Sequence, residues 1–363
     1  MRHSHLKRLT RLPAYAAKIL ACALAAFTAG CASFGARTLP LDRSEYSNAL
    51  SESWMRQNLL NIVKVRYLSP PIFVDVSSIV SGYSLQSTVT AGGTLVNHGM
   101  PDTLTLGAAS QYTDRPTITY VPLTGNKFIK GLMTPLAPDS VFFTIQAGWP
   151  ADAILTSCLL SINGIRNTSV SIAGGVEPDP EFMRVVELMR GIQLEGGIAF
   201  RIKQDPNKQQ TSVVAVASPD ASQKALDKRK ELRDLLGLSQ DATEFKLVFG
   251  SVAANDKEIA VQTRSLLQIM AIMASEVDAP QEHIAQGIVF ANPKHTNLRL
   301  IEIHSSKDQP KDAFVAIPFH GYWFWIDDRD LKSKRTFTFL MLLFTLADTG
   351  EPANLPLITI PAQ

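Results

Sequence analysis

Apolar residues recur at helical spacing in the first part of the chain. Asp42, with Glu45 three positions later, has the pattern of a capping box, so a helix is predicted from Asp42 to about Arg66. Residues 32–41 before it are predicted to be a tether. Proline is unfavourable inside a helix, and Pro70 and Pro71 are expected to end it. The predicted inner face consists of Tyr46, Leu50, Met55, Leu59, Ile62 and Val63.

The next segment alternates between apolar and polar residues with a period of two, which is typical of β-strands with two different faces. A first strand is predicted at 71–80, and further alternating strands begin at Tyr83, Thr103 and Thr117. Glycine and asparagine between them indicate antiparallel hairpins. One predicted face contains Tyr83, Leu85, Val89 and Ala91, and the other contains Ser84, Gln86, Thr88 and Thr90.

These hairpins, at 82–121, fit two environments. Their Thr- and Ser-rich strands are about ten residues long, which suits an antiparallel sheet in a soluble domain and also suits strands that cross a membrane. One chain supplies too few strands for the second environment, so that alternative requires an oligomer. We expect the soluble sheet and keep the membrane-associated oligomer as the alternative.

Helical and strand-like patterns continue to the C-terminus and predict an α+β fold, in which antiparallel sheets have flanking helices. Two domains are predicted after the N-terminal segment, at 42–177 and 178–363. The further predicted helices lie at 124–129, 139–147, 150–160, 181–190, 220–236, 264–277 and 336–346. The further predicted strands lie at 197–203, 211–217, 245–249, 298–304, 314–317, 322–326 and 357–360.

The N-terminus has the pattern of an export signal. Five basic residues and no acidic residue precede position 31, and an apolar stretch runs from Ile19 to Gly30. This stretch is shorter than the roughly 20 residues that a membrane-spanning helix needs. A short apolar segment behind a basic one predicts a secretory signal, here residues 1–30.

The end of this signal, Thr28-Ala29-Gly30-Cys31, resembles the lipobox of bacterial lipoprotein precursors. The resemblance implies that residues 1–30 are removed and that Cys31 carries lipid, including palmitate. It also implies the outer membrane as the destination, because Ala32 stands where an Asp would favour inner-membrane retention. The alternative is an ordinary cleaved signal ending near Ala29 or Ala32, with Cys31 incidental.

Charge and cysteine content agree with export. The chain has 35 basic and 33 acidic residues, and without the five basic residues of the signal the mature balance is about −3. A mildly acidic chain is not expected to bind nucleic acid. Cys22 leaves with the signal and Cys31 is the lipidation site, so Cys158 remains alone. Because it lies in an apolar helical run, Cys158 is predicted to be a buried, inert thiol.

The sequence contains few signs of a catalytic site. The sequence contains no CxxC, HExxH, GxSxG, GxGxxG or P-loop motif. A metal or general-base site could be assembled from His304, His320, Glu302 and Asp327, and His304, His320 and Asp327 are therefore the candidate catalytic residues. Their spacing matches no metal signature, so no metal or cofactor is predicted. Histidines on strands are more often hydrogen-bonded residues of the core or surface. Four histidines fall in this region: His283, His295, His304 and His320.

An aromatic strand follows His320. Tyr322, Phe324 and Ile326 are predicted to share one face, and Trp323 and Trp325 the other. A strand that is apolar on both sides is usually covered on both sides, which predicts a core strand. The alternative is an exposed aromatic face, in which Tyr322, Trp323 and Trp325 bind a partner or a glycan.

Several segments of the mature chain resemble a family of uncharacterised bacterial outer-membrane lipoproteins. They are 61–67, 70–78, 114–125, 146–150, 161–167 and 321–331. The resemblance implies a location but no activity, cofactor or catalytic residue.

Because the chain combines a predicted lipid anchor with no recognisable catalytic motif, a non-enzymatic function is predicted. We expect a lipid-anchored envelope protein on the periplasmic face that binds another envelope protein or its own copies. The alternative is a periplasmic hydrolase or glycan-binding enzyme that uses residues 295–330. A lesser alternative is a subunit of an oligomeric outer-membrane assembly.

Overall fold

The chain has the α+β fold that the sequence predicts, with helices packed around mainly antiparallel sheets. The computed structural model describes residues 34–80, 82–94, 103–167, 169–171, 174–195, 198–204, 211–217, 222–292 and 299–347. The predicted features that lie outside these residues include the signal at 1–30, Cys31, His295 and the strand at 357–360. Contacts divide the chain into a unit that ends at Ser53 and a unit that begins at Trp54.

The helices of the described residues follow the predicted order, with one additional short helix, α8 (Gln281–Ala285), that the sequence did not predict. They are α1 (Phe34–Arg66), α2 (Asn126–Met133), α3 (Pro138–Gln146), α4 (Ala151–Cys158), α5 (Pro180–Leu194), α6 (Gln223–Leu236), α7 (Leu266–Ser275), α8 (Gln281–Ala285) and α9 (Leu331–Ala347). Good caps support two of them: Ser222 accepts a hydrogen bond at the start of α6, and Ser265 forms a capping box at the start of α7.

The strands form several sheets of different size. They are β1 (Phe73–Val80), β2 (Tyr83–Thr94), β3 (Thr103–Asp114), β4 (Thr117–Leu123), β5 (Leu159–Ile162), β6 (Ile165–Arg166), β7 (Ser169–Ser171), β8 (Gly174–Val176), β9 (Ile198–Gln204), β10 (Thr211–Ala217), β11 (Glu244–Phe249), β12 (Glu258–Thr263), β13 (His304–Ser306), β14 (Ala313–Phe319) and β15 (Tyr322–Asp327).

The largest sheet has six strands in the order β6-β5-β12-β11-β10-β9, and β11 and β12 are its parallel neighbours. Its strands come from both sides of position 177/178, where the sequence predicts a domain boundary. The core is likewise shared, because Phe142 and Leu155 belong to the same buried cluster as Phe182, Met270 and Phe337.

The start of α1 corrects a prediction. Residues from Phe34 to Leu41 are helical rather than a tether, so Asp42 lies inside the helix and does not cap it. Ala, Arg and Leu in this stretch are good helix formers, and adding turns to an existing helix costs little. Pro40 also lies inside the helix, although proline is unfavourable there. The predicted end at Arg66 is confirmed. Of the predicted inner face, Leu59, Ile62 and Val63 are fully buried, whereas Leu50 is exposed.

Two further boundaries differ from prediction. Helix α4 stops at Cys158, and Leu159 already pairs in the sheet. The Arg264 amide donates a hydrogen bond to the Cys158 carbonyl at 2.7 Å, so this carbonyl belongs to the sheet and not to a longer helix. The predicted strand at 298–304 forms a ladder only from His304 onward. Before His304, Ile301 and Ile303 are buried, and Ile303 forms an isolated bridge with Val277 that does not extend into a ladder.

The last small sheet has the order β13-β15-β14, so the aromatic strand β15 lies in its middle. His304 is opposite Trp325 on one side, and Ile317 is opposite Phe324 on the other. This sheet is held to the core by Phe324 and Ile326, which are fully buried.

Candidate functional site

A largely exposed part of the fold is a long antiparallel ribbon formed by β1 to β4. β1 pairs with β4, with Val80 opposite Thr117, and β2 pairs with β3 along its whole length. Between the two ladders, the Arg115 amide donates to the Gly82 carbonyl at 2.9 Å. The four strands are therefore one continuous two-stranded ribbon. Since β2 has 12 residues, it extends about 40 Å at roughly 3.3 Å per residue.

The base of the ribbon is fixed to α1 by two side-chain amides. Gln57 donates from Nε2 to the Val74 carbonyl at 3.1 Å and accepts from the Val74 amide at 2.8 Å. Asn61 makes the same pair of bonds with Ile72, at 2.9 and 3.0 Å. The two amides thus act as a substitute strand for the backbone that enters β1. Phe73 between them is buried, with its ring 5.4 Å from Phe128.

The two faces of the ribbon differ in chemistry. Directly opposed residues share a face, and one face is polar and uncharged along β2 and β3. Its opposed pairs are Ser84 with Thr113, Gln86 with Gln111, Thr88 with Ala109, Thr90 with Gly107, and Gly92 with Thr105.

The other face of the ribbon is mainly apolar, with the pair Ser87 and Ser110 in its middle, and several of its side chains are exposed. Val89, opposite Ala108, is 56% exposed, and Tyr112 on the returning strand is 54% exposed. Closer to the base, Ile118 and Tyr120 are 41% and 60% exposed. Burying such surface is favourable, at roughly 25 cal/mol per Å², so an exposed apolar face of this length marks a contact surface.

The long edges of the ribbon lack the usual protection against pairing. Edge strands ordinarily carry Lys, Pro, inward charges or bulges that prevent the approach of another strand. Residues 83–94 and 103–113 contain no charged residue and no proline. The one shift of register lies near the base, between Val76 and Ser78. The outer part is therefore a regular, unprotected edge on both sides.

The candidate catalytic residue His304 belongs to an ionic network. Its ring lies 4.8 Å from that of Trp325, and its Nδ1 lies 3.8 Å from Asp278 Oδ2. Arg299 Nη2 donates to Asp278 Oδ1 at 2.7 Å, and Arg299 Nε lies 3.7 Å from Glu276. Burial raises the pKa of Glu276 to about 7, against the lowering effect of Arg299. Arg299 thus pairs with two carboxylates, and one of them, Asp278, lies beside His304 of β13.

The candidate residue His320 lies in the turn between β14 and β15 and has a positive φ of 47°. Its ring stacks on Tyr67 at 5.6 Å, with an interplanar angle of 7°. The Tyr67 hydroxyl is in turn 2.7 Å from Nδ1 of the buried His283. Burial raises the pKa of Tyr67 to about 12. This arrangement packs the β14–β15 turn against the end of α1.

The candidate residues therefore do not meet at one point. Asp327 is held by Arg329, whose amide donates to its Oδ1 at 2.8 Å, and this bond lowers the pKa of Asp327. Asp327 is at one end of β15, whereas His320 precedes its other end. Glu302 is exposed, and its amide donates to Ser333 Oγ at 2.8 Å.

The aromatic strand is covered more completely on one face than on the other. Phe324 is fully buried, while Tyr322, Trp323 and Trp325 are half-buried. The Tyr322 hydroxyl donates to Glu282 at 2.6 Å. Three predicted partner-binding residues are thus partly accessible, and Tyr322 already has a partner within the chain.

Cys158 is buried, as the sequence predicts. Burial raises the pKa of its thiol to about 12. Beside it, the buried guanidinium of Arg264 donates to the carbonyls of Thr156 and Ser157 at 2.6 and 2.9 Å. Burial lowers the pKa of Arg264 to about 10. Arg264 thereby satisfies carbonyls at the C-terminal end of α4.

Sequence reasoning missed the side chains that position these features. Gln57 and Asn61 lie four residues apart on one side of a predicted helix, and this spacing was the available signal. Arg66 had no signal of its own. Its guanidinium donates to the Phe290 carbonyl at 3.0 Å and to Asn292 Oδ1 at 3.1 Å, more than 200 positions away.

Comparisons of this chain with protein-family models, curated protein sequences and solved structures gave no match. Within the described residues, no helix is both long and apolar enough to cross a membrane. The same part of the chain contains no group of three or more His, Cys, Asp or Glu side chains placed to hold a metal ion. The ribbon is the feature from which a function can be inferred.

Proposed function

We propose that this chain is a lipid-anchored protein of the cell envelope with a non-enzymatic role in assembly or partner binding. In this proposal, acylated Cys31 holds the chain at the periplasmic face of the outer membrane, and the ribbon reaches the partner. The observation that carries the proposal is the ribbon itself. Its described side chains in β2, such as Gln86, Thr88 and Val89, are exposed on both faces.

The ribbon suits partner binding because it is fixed at its base and free along its edges. An exposed strand edge binds an extended segment through main-chain hydrogen bonds. The bonds from Gln57 and Asn61 set the direction in which the ribbon leaves the core. A surface that is already ordered loses less conformational entropy when it binds.

The decisive experiment is an affinity pull-down of the lipidated chain from envelopes, with and without the ribbon. Gly82 and Arg115 are opposite each other, so residues 83–114 can be replaced by an Asn-Gly turn that closes the shortened hairpin. We expect this variant to keep its unfolding transition and to lose the captured partner. Trp323→Ala tests the alternative binding surface on the aromatic strand, and it should keep the partner. Equal capture by the shortened chain would contradict the proposal.

The anchor is tested separately by metabolic labelling with palmitate. Cys31→Ser should abolish incorporation of the label and release the chain from the membrane fraction. Cys158→Ser is the matched control, because this thiol is buried, and it should leave the labelling unchanged. Palmitate incorporation that persists in Cys31→Ser would overturn the anchoring part of the proposal.

A further inference from the structure

The outer edges of the ribbon carry backbone N–H and C=O groups that a partner strand could bind. In an antiparallel ladder, every second residue points its N–H and C=O groups away from the paired strand. The outer edges of β2 and β3 therefore each present a row of such groups, over 12 residues per strand. Buried backbone groups require a hydrogen-bond partner, so these edges determine what can cover the ribbon.

A second copy of the same ribbon matches these edges in direction, length and chemistry. β2 and β3 run in opposite directions. When two copies stand side by side, β2 of one therefore lies antiparallel to β3 of the next. Residues 83–94 and 103–113 of these edges are uncharged and free of proline, so no like-charge repulsion opposes the contact there. The two surfaces are different patches of the chain, which makes the interface heterologous and repeatable from copy to copy.

Pairing of this kind also makes each face of one ribbon continuous with the same face of the neighbouring ribbon. The polar pairs, such as Thr88 with Ala109, continue into the polar pairs of the neighbour, and the apolar residues, such as Val89 and Ala108, form one apolar surface. The strands are as long as membrane-embedded strands, which need about 9–11 residues. Alternation of an apolar and an uncharged polar face is also their sequence pattern.

We propose that copies of this chain associate edge to edge through the outer part of the ribbon, β2 of one copy against β3 of the next, with the shared apolar face against lipid. This inference rests on the proposed function, because the lipid anchor brings the copies to one membrane. It names the partner of the ribbon as a second copy of the chain. The polar face of the shared sheet remains on the side of water.

Cross-linking between two differently tagged chains tests the pairing. One chain carries Thr88→Cys and the other carries a single cysteine on the polar face of β3, so that a disulfide within one chain is excluded. The positions to scan are Thr105, Gly107, Ala109, Gln111 and Thr113. We expect a mixed disulfide dimer in envelopes at one of these positions, with weaker bands at its nearest neighbours in the scan.

The matched control is Ser110→Cys, which lies on the opposite face of β3. Cβ atoms on opposite faces cannot approach the distance that a disulfide needs, so this variant should give no mixed dimer with Thr88→Cys. Dimers at both faces alike would indicate random collision and overturn the proposal. The absence of dimers at all five polar positions would also overturn it. If the full-length ribbon still captured another protein in that case, the proposed function would survive without self-association.

A fluorescent probe tests the contact with lipid. An environment-sensitive label is attached to Val89→Cys or Thr88→Cys in the full chain, and vesicles of phosphatidylethanolamine and phosphatidylglycerol are added. We expect a blue shift and an intensity gain for position 89 and little change for position 88, because they lie on opposite faces. Equal responses at both positions, or none at position 89, would contradict the lipid-facing assignment.

Discussion

Asn61 and Ile72 exchange two hydrogen bonds, from the Asn61 amide to the Ile72 carbonyl at 2.9 Å and from the Ile72 amide back to Asn61 Oδ1 at 3.0 Å. Gln57 repeats the exchange with Val74 one helical turn earlier. Four helical residues rise about 6 Å, and two strand residues rise about 6.6 Å. The two spacings agree closely enough for the side chains of a helix to replace a neighbouring strand.

Removing either amide should loosen the base of the ribbon. Asn61→Leu leaves the Ile72 amide and carbonyl without their partners, and we expect a loss of roughly 1–3 kcal/mol in the free energy of unfolding. Hydrogen exchange at Ile72 and Val74 should accelerate in this variant. Asn48→Leu is the matched control, because Asn48 is exposed on the same helix. Unchanged exchange at Ile72 in Asn61→Leu would show that the amide does not fix the ribbon.

Arg264 should be essential for stability. Its guanidinium is fully buried and satisfies the carbonyls of Thr156 and Ser157. Arg264→Met removes the donors while it keeps a similar volume, and we expect a loss of about 2–4 kcal/mol in urea denaturation. Arg329→Met, at a highly exposed arginine, should change the unfolding free energy by less than about 0.5 kcal/mol. Equal stability of the two variants would contradict this role.

Cys158 should be chemically silent in the folded chain. The thiolate is the reactive form, and burial raises the pKa of this thiol to about 12. In a chain with Cys22→Ser and Cys31→Ser, we expect no reaction with a disulfide reagent at pH 8 until denaturant is added. Thr88→Cys in the same background provides an exposed thiol for comparison and should react at once. Rapid labelling of native Cys158 would mean that this part of the core opens readily.

Glu276 should make stability depend on pH near neutrality. Its folded-state pKa of about 7 is above the ordinary value of 4.5, so the folded state holds the proton more tightly. Its contribution to stability is complete below about pH 4.5 and is lost as the pH rises through 7. Glu276→Gln does not ionise. The unfolding free energy of the variant should therefore increase relative to wild type by roughly 1–3 kcal/mol between pH 5 and pH 8.

Glu282 provides a control of opposite sign for this titration. Hydrogen bonds from Lys307 and Tyr322 lower the pKa of Glu282, so its contribution is present at neutral pH and is lost in acid. Glu282→Gln should therefore lose stability relative to wild type as the pH rises from acid towards neutrality. A flat difference for Glu276→Gln between pH 5 and pH 8 would show that Glu276 is not protonated near pH 7.

Much of the local structure could be predicted from the periodicity of apolar and polar residues. The alternation from Tyr83 predicted the strands of the ribbon, and the helical spacing before Arg66 predicted the end of α1. Alternation was misleading before His304, because Ile301 and Ile303 are buried but form no ladder, and Ile303 makes only an isolated bridge with Val277. Periodicity describes which side of an element is covered, but it does not say what covers it.

The candidate site was harder to predict for the same reason. His304, His320 and Asp327 are near one another in sequence, and the register of a short sheet separates His320 from the other two. Arg299 had no motif, and it pairs with Glu276 and Asp278 only when the chain folds. Proximity in sequence was therefore a poor guide to proximity in space.

By itself, the sequence determined the α+β class, the two-faced strands, the buried thiol at Cys158 and the expectation of a lipid anchor at Cys31. These depend on local composition and on periods of two or 3.6 residues, which a chain carries without its fold. Only the tertiary structure decided that β1 to β4 form a single ribbon and that Gln57 and Asn61 hold its base. Hydrogen-bond partners and strand register depend on residues far apart in the chain, and only folding brings those residues together.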